Sequence, residues 1–179
     1  PDVQYHMTPA SFSNRIDRAL DDEPGLTIAP CQLRPESRGT IHLRNADPFE
    51  PPAIRPNFLD AQNDRDTIVA GMKLGRAIIE SPALDPYRAY ELTPGADVQS
   101  DDEWLDYARG TGATVYHPVG TCKMGNDPMA VVDDQLRVHG VEGLRVADAS
   151  IMPTLTSGNT NAPSIMIGEK ASRMVLAAA

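Results

Sequence analysis

The chain has 179 residues and a formal net charge of −9 at pH 7, with hydrophobic residues at 41% and charged residues at 23%. This composition is typical of a globular protein, and the length permits one domain with a core or part of a larger protein. The acidic balance argues against a nucleic-acid partner, because such binding depends on lysines and arginines that neutralise phosphates. No apolar run approaches the ~18 residues of a membrane span and no signal peptide opens the chain, so a cytoplasmic setting is expected.

The two cysteines, Cys31 and Cys122, match no metal-binding spacing, so we expect reduced, mostly buried thiols. The chain opens without an initiator methionine, directly in an alternating pattern, and we therefore expect a fragment of a larger protein.

The first third of the chain predicts short strands and turns. Residues 2–7 alternate in polarity as a strand does, and the polar stretch 14–22 suggests a short helix or a loop. Residues 26–33 and 40–44 are rich in strand-forming side chains and flank a turn, which predicts a hairpin-like pair. Prolines restrict much of 48–56, so irregular structure is expected there.

A helix is predicted over about 63–80, with Asn63 or Asp64 as its N-cap, because apolar residues recur there at helical spacing. Gly71 and Gly75 weaken its intrinsic propensity, but small residues four apart also permit close packing.

Two further helices are predicted. One spans 101–109, with Ser100 as its cap and Glu103 as capping-box partner. The other helix is expected to begin at about Pro163, since proline is favoured in a first turn. Its buried stripe is expected to comprise Ile167, Ala171, Met174, Val175 and Ala178. Between the two helices, the segment 131–148 predicts short strands around a glycine turn.

His117 is the first candidate functional residue. It follows a short apolar run and precedes Pro118, which favours an extended conformation at the histidine. A neutral imidazole can abstract a proton from an alcohol or stabilise the resulting alkoxide. A core histidine that is satisfied by a backbone carbonyl is the alternative, and spacing alone does not decide between the two.

Asn161 and Asp148 are equally ambiguous from the residues alone. Asn161 stands just before the last predicted helix, where it could cap the helix or mark an anion site at the positive end of the helix dipole. Asp148 follows a predicted strand, where it could accept a hydrogen bond from a sugar or ribityl hydroxyl or cap a turn.

Three blocks, taken together, resemble the C-terminal signature of the glucose–methanol–choline family of flavin-dependent alcohol oxidoreductases. They are His117-Pro-Val-Gly-Thr-Cys-Lys-Met-Gly125, Gly143-Leu-Arg-Val-Ala-Asp-Ala-Ser-Ile-Met-Pro153 and Gly158-Asn-Thr-Asn-Ala-Pro-Ser-Ile-Met-Ile-Gly-Glu-Lys170. The segment Cys31–Gly39 resembles the family's substrate-domain sheet, so the resemblance covers nearly the whole chain. It is strongest to the members that resemble choline dehydrogenases and alcohol dehydrogenases.

The resemblance implies roles for individual residues. His117 matches the catalytic histidine, which assists removal of the hydroxyl proton while hydride passes to the flavin, and Asn161 matches the second active-site position. No metal is implied. Positions expected to contact FAD are Asp148, Ala149, Asn159, Ala162 and Pro163.

The implied architecture is α+β, a mixed α/β fold. Residues 1–115 would form the substrate-binding domain, an antiparallel sheet with flanking helices, and 116–179 would carry the active-site blocks with a strand and a helix that complete the FAD-binding domain. The chain lacks the Gly-x-Gly-x-x-Gly turn that cradles the FAD pyrophosphate, so the cofactor would need the missing N-terminal dinucleotide-binding half.

The resemblance therefore predicts the C-terminal portion of an enzyme that oxidises a primary alcohol to an aldehyde, inactive by itself. Its partners would be a small alcohol and the N-terminal half of the same enzyme. The resemblance also allows contact with an electron acceptor or peripheral contact with the inner membrane. It allows a homo-oligomer as well. The alternative is a non-catalytic fragment that acts as a binding or oligomerisation module.

Overall fold

A computed structural model describes residues 1–14 and 19–178, and it confirms the mixed α/β class. Contacts between Cα atoms divide the chain into two compact units, one formed by 1–32 with 59–115 and the other by 33–58 with 116–179. The functional boundary at residue 115 stays a prediction.

The strands of the described residues pair into small antiparallel sheets of two strands each. They are β1 (Val3–Thr8) with β4 (Thr27–Gln32), β2 (Phe12–Asn14) with β3 (Ala19–Leu20), and β5 (Thr40–His42) with β6 (Ala53–Arg55). The helices are α1 (Gln62–Ile79), α2 (Asp101–Thr111) and α3 (Asn161–Ala177), with 3₁₀ helices at Pro82–Tyr87 and Ala149–Ile151.

Strand pairing differs from the hairpin expected for residues 26–33 and 40–44. β4 pairs with β1, from Val3 opposite Gln32 to Thr8 opposite Thr27, whereas β5 pairs with β6. The expectation of irregular structure throughout 48–56 was wrong at Ala53–Arg55, because the neighbouring prolines lie just outside that strand.

The short helix or loop expected over 14–22 falls partly outside the described residues, which omit 15–18. On either side of that gap Asn14 pairs with Ala19 across the β2–β3 sheet.

In the first unit, α1 packs against the sheet of β1 and β4 through its glycines. A β-carbon on Gly71 would lie 3.0 Å from Cβ of Pro30, and one on Gly75 would lie 3.4 Å from a ring carbon of Tyr5. The Tyr5 hydroxyl donates to the carbonyl of Gly71 at 2.7 Å. The close packing predicted for these glycines is therefore confirmed.

The N-cap expected at Asn63 or Asp64 was wrong. α1 begins at Gln62, after Ala61, and no side chain caps it. Asp64 is instead buried, with 2% of its surface exposed, and accepts a hydrogen bond from Nε2 of Gln32 at 2.9 Å. The polar side chain that suggested a cap thus joins the helix to β4.

The capping box predicted for α2 is confirmed. The Ser100 side chain accepts from the Glu103 N–H, and the Glu103 carboxylate accepts from the Ser100 N–H at 2.8 Å. α2 also buries Trp104, and the guanidinium of Arg76 on α1 stacks 4.1 Å from the centre of its ring. The two helices are therefore joined by an apolar and cation–π contact.

The second unit is built on irregular chain around one apolar cluster. Single antiparallel bridges, Val132 to Val138 and Arg137 to Arg145, stand where short strands were predicted. The buried cluster comprises Val132, Leu136, Ile151, Met152, Ile167 and Ala171.

α3 begins at Asn161, two residues before the expected start at Pro163. Ile167 and Ala171 are buried as predicted, and Met174 packs against the cluster. The predicted stripe is wrong at its end, because Val175 and Ala178 are exposed.

Candidate active site around His117

The histidine block, residues 117–125, is an irregular segment whose backbone is hydrogen-bonded to the chain at the apolar cluster of the second unit. The N–H of Cys122 donates to the carbonyl of Ser150 at 3.0 Å, and the N–H of Met124 donates to that of Ile151 at 2.8 Å. Gly120 has φ +89°, a left-handed conformation that favours glycine. These features fix the backbone that follows His117.

His117 is half-buried and has a hydrogen-bond partner at each ring nitrogen. Its Nδ1 lies 2.8 Å from Oγ1 of Thr160, and the backbone N–H of Thr160 also approaches Nδ1, at 3.4 Å. Its Nε2 lies 2.8 Å from Nδ2 of Asn159. The core histidine bonded to a backbone carbonyl, left open from the sequence, is not the arrangement observed.

Both partners come from the short segment that leads into α3. Thr160 is buried, with 7% of its surface exposed, whereas Asn159 is exposed. Ser157, at the start of this segment, has φ +57° and accepts a hydrogen bond from Nε of Arg34 at 3.0 Å. The ring of His117 is therefore held by residues more than 40 positions later in the chain.

Asn161 does not contact His117 among the contacts recorded for the described residues. It is the first residue of α3 and is exposed, and the cap position belongs to Thr160. The capping role considered for Asn161 is therefore not the observed one. Ala162 is exposed beside it, and Pro163 occupies the third helical position.

Asp148 caps the 3₁₀ helix Ala149–Ile151, because its Oδ1 accepts from the N–H of Ser150 at 2.7 Å. It lies in irregular chain rather than at the end of a regular strand. Turn capping, one of the two roles considered for it, is therefore present, and the carboxylate is exposed for other contacts.

Lys123, inside the histidine block, forms an ion pair with Asp127 at 2.7 Å. The hydrogen bond from its ammonium group, followed by that from the N–H of Met129, lowers the pKa of the Asp127 carboxyl. This lysine therefore stabilises the turn after the block.

Sequence reasoning missed the partners of His117. The resemblance implies a cofactor contact for Asn159, which stays a prediction, but it does not indicate that Asn159 and Thr160 contact the ring of His117. The only signal was their place in the same block as Asn161, and sequence spacing does not show which of three adjacent polar side chains turns towards a distant histidine.

Residues 1–14 and 19–178 contain no group of three or more His, Cys, Asp or Glu side chains arranged to hold a metal ion. None of the helices in that part of the chain is long and apolar enough to cross a membrane. Cys31 and Cys122 are free and half-buried.

Comparison with known proteins agrees with the sequence blocks. Residues 35–168 match the family model described as GMC oxidoreductase. The chain is 45% identical over 98% of its length to "Alcohol dehydrogenase [acceptor]" of Pseudomonas putida, and 46% identical over 95% of its length to "Oxygen-dependent choline dehydrogenase" of Pseudomonas syringae pv. tomato. It spans about a third of these relatives, namely 32% and 30% of their own lengths.

Solved structures give the same relationship. Pyridoxine 4-oxidase from Mesorbium loti is 31% identical with a TM-score of 0.83, over 97% of this chain and 34% of its own. An FAD-dependent oxidoreductase from Chaetomium thermophilum is 28% identical with a TM-score of 0.77, over 85% of this chain and 26% of its own.

The family model over residues 35–168 and the relatives at 45% and 46% identity over nearly the whole chain agree on one family. The chain belongs to the GMC oxidoreductase family.

Proposed function

We propose that this chain is the active-site-bearing C-terminal portion of an FAD-dependent dehydrogenase or oxidase that oxidises a primary alcohol to an aldehyde. One observation carries the proposal: His117 is held at both ring nitrogens by the segment leading into α3. A base requires such a defined geometry, because proton transfer depends on the position of the accepting nitrogen. The relatives named as alcohol and choline dehydrogenases support the substrate class.

In this proposal His117 accepts the hydroxyl proton of the alcohol at Nε2. Asn161 donates a hydrogen bond to the same oxygen through its side-chain amide and cannot act as a base. The bound FAD supplies the two-electron acceptor for the hydride that leaves the substrate carbon. The alcohol would lose its hydroxyl proton to His117 and, with the hydride taken up by that acceptor, would become an aldehyde.

The N-terminal end of α3 is suited to bind the negatively charged edge of a reduced flavin. Its first N–H groups have no intrahelical acceptor, and the side chain of Thr160 does not cap them. The helix dipole adds a positive partial charge, so these groups suit the negative charge of a reduced flavin. We propose that the residues near the flavin are Asp148, Ala149, Asn159, Ala162 and Pro163.

The partner of this chain would be the N-terminal half of the same enzyme. The sequence has no Gly-x-Gly-x-x-Gly turn to hold the pyrophosphate, so we propose that residues 1–179 alone bind FAD weakly and are inactive. Choline and other primary alcohols are both candidate substrates.

The test compares the purified 179-residue chain with the enzyme formed when it is joined to a dinucleotide-binding half. We expect flavin absorbance and alcohol-dependent dye reduction in the joined enzyme and neither in the chain alone. A panel of primary alcohols, read by steady-state kinetics, then identifies the substrate. Stoichiometric flavin and turnover in the chain alone would contradict the proposed division. A joined enzyme that binds flavin and oxidises no alcohol would favour the non-catalytic module.

A further inference from the structure

Thr160 occupies the cap position of α3 but directs its side chain elsewhere. Threonine at a helix N-cap ordinarily accepts a hydrogen bond from a backbone N–H one turn into the helix. Here Thr160 has φ −93° and ψ 0°, makes no side-chain cap bond, and places Oγ1 2.8 Å from Nδ1 of His117. With 7% of its surface exposed, it is the buried partner of the imidazole.

The contacts around the ring favour one of its two tautomers. The amide nitrogen of Asn159, 2.8 Å from Nε2, can only donate, so Nε2 accepts. A neutral imidazole carries one proton, which must then be on Nδ1. A hydroxyl can accept as well as donate, so Thr160 Oγ1 accepts from Nδ1–H, and this 2.8 Å contact outweighs the approach of its backbone N–H at 3.4 Å.

We propose that Thr160 is a positioning residue that holds His117 in the tautomer protonated on Nδ1. The lone pair of Nε2 then points to the side where Asn159 lies, and a substrate hydroxyl that replaces the Asn159 amide would meet a ready acceptor. The catalytic meaning of this arrangement depends on the proposed function, whereas the tautomer itself does not.

Replacement of Thr160 by valine distinguishes the effect of the hydroxyl group from that of the side-chain shape. Valine keeps the branched form but has no acceptor for Nδ1–H, so the burial of that group would become unfavourable. The ring would then shift its proton to Nε2 or rotate. Serine keeps the hydroxyl, and Thr156→Val is a matched control because Thr156 is exposed and directly precedes the same segment.

The tautomer is measured on the whole chain by long-range ¹H–¹⁵N spectra with ¹⁵N-labelled histidine. The spectra are recorded at a pH at which the ring is neutral. The chain has four histidines, and His117→Ala identifies the signal of interest. We expect protonation on Nδ1 in the wild type, in Thr160→Ser and in Thr156→Val, and a population shift to Nε2 in Thr160→Val. Protonation of His117 on Nε2 in the wild type would overturn the proposal. So would a tautomer population in Thr160→Val that equals that of the wild type.

Kinetics of the flavin-loaded enzyme give the second measurement. We expect Thr160→Val to lower kcat roughly tenfold or more, as loss of a partner that orients a histidine does elsewhere, with little change in KM. The pH dependence of kcat should change as well, and Thr160→Ser should restore both. Unchanged kcat in Thr160→Val, alongside a large loss in His117→Ala, contradicts a positioning role for Thr160 and leaves the proposed function intact. Full activity of His117→Ala contradicts the proposed function and leaves the tautomer result standing.

Discussion

The two nitrogens of His117 are unequal, and this inequality is what makes the residue a candidate base. Nδ1 faces a buried hydroxyl, whereas Nε2 faces the exposed amide of Asn159. Once a substrate hydroxyl replaces the Asn159 amide, a ring held at Nδ1 can accept a proton at Nε2 without reorienting, so the energetic cost of aligning the ring is met before substrate arrives.

At this scale we predict that His117→Ala affects turnover far more than stability. In the flavin-loaded enzyme kcat should fall by about 10²- to 10⁴-fold, the usual contribution of general acid–base catalysis. The free energy of unfolding, measured by urea titration, should change much less because the ring is only half-buried. His139→Ala is the control, since its ring contacts only the carbonyl of Gly125 in the recorded contacts. Equal losses of activity and stability in His117→Ala would indicate a structural histidine.

In the described part of the first unit, serine precedes two helices, and one of these serines caps its helix with its side chain. Ser100 caps α2 and forms a capping box with Glu103, whereas Ser81 precedes the 3₁₀ helix Pro82–Tyr87 without a side-chain cap bond. The same substitution at the two positions therefore isolates the cap.

We expect Ser100→Ala to lower the free energy of unfolding by about 1 kcal/mol and Ser81→Ala to change it by a few tenths at most. Trp104, the single tryptophan, is buried on α2, so its fluorescence during denaturation reports this part of the chain. Equal effects of the two substitutions would show that the observed capping box does not stabilise α2.

The elements of this chain were predictable from sequence to different degrees. The capping box of α2 depends on residues three positions apart, so local rules sufficed. The spacing of Gly71 and Gly75 indicated close packing of α1, but it did not show that the glycines contact the distant residues Pro30 and Tyr5. The pairing of β4 with β1 instead of β5 is a choice among distant segments, and turn residues between 33 and 40 could not determine it. The Thr160–His117 contact spans 43 positions and likewise depends on tertiary packing.

Over the whole molecule, acid should destabilise the chain through carboxylates that accept several hydrogen bonds. The N–H of Gln99, then the N–H and hydroxyl of Ser100, lower the pKa of the Glu103 carboxyl. The N–H of Arg137 is the main cause of the lowered pKa of Asp133. With Asp127, these groups span both units. A carboxyl whose pKa is lower in the folded state adds stability above its unfolded value, and that stability is lost as the pH falls through the folded value.

The corresponding prediction concerns the variant Glu103→Gln, Asp127→Asn and Asp133→Asn. At pH 7 it should be less stable than the wild type, and the difference should shrink as the pH falls below the ordinary carboxyl range of about 4. Urea denaturation at a series of pH values, followed by circular dichroism, measures this convergence. A difference that is constant with pH would mean that these carboxylates do not contribute through their charge.

Thr160 also fixes the start of α3, since its carbonyl accepts from both the N–H and the hydroxyl of Ser164, at 3.0 and 2.7 Å. One residue therefore sets both the helical register and the orientation of the imidazole. Ser157 is tied to Arg34 and Thr160 to the start of the helix, so a one-residue change in length between them would alter how Asn159 and Thr160 reach the ring. The length of this connection is consequently as much a part of the site as the identity of its residues.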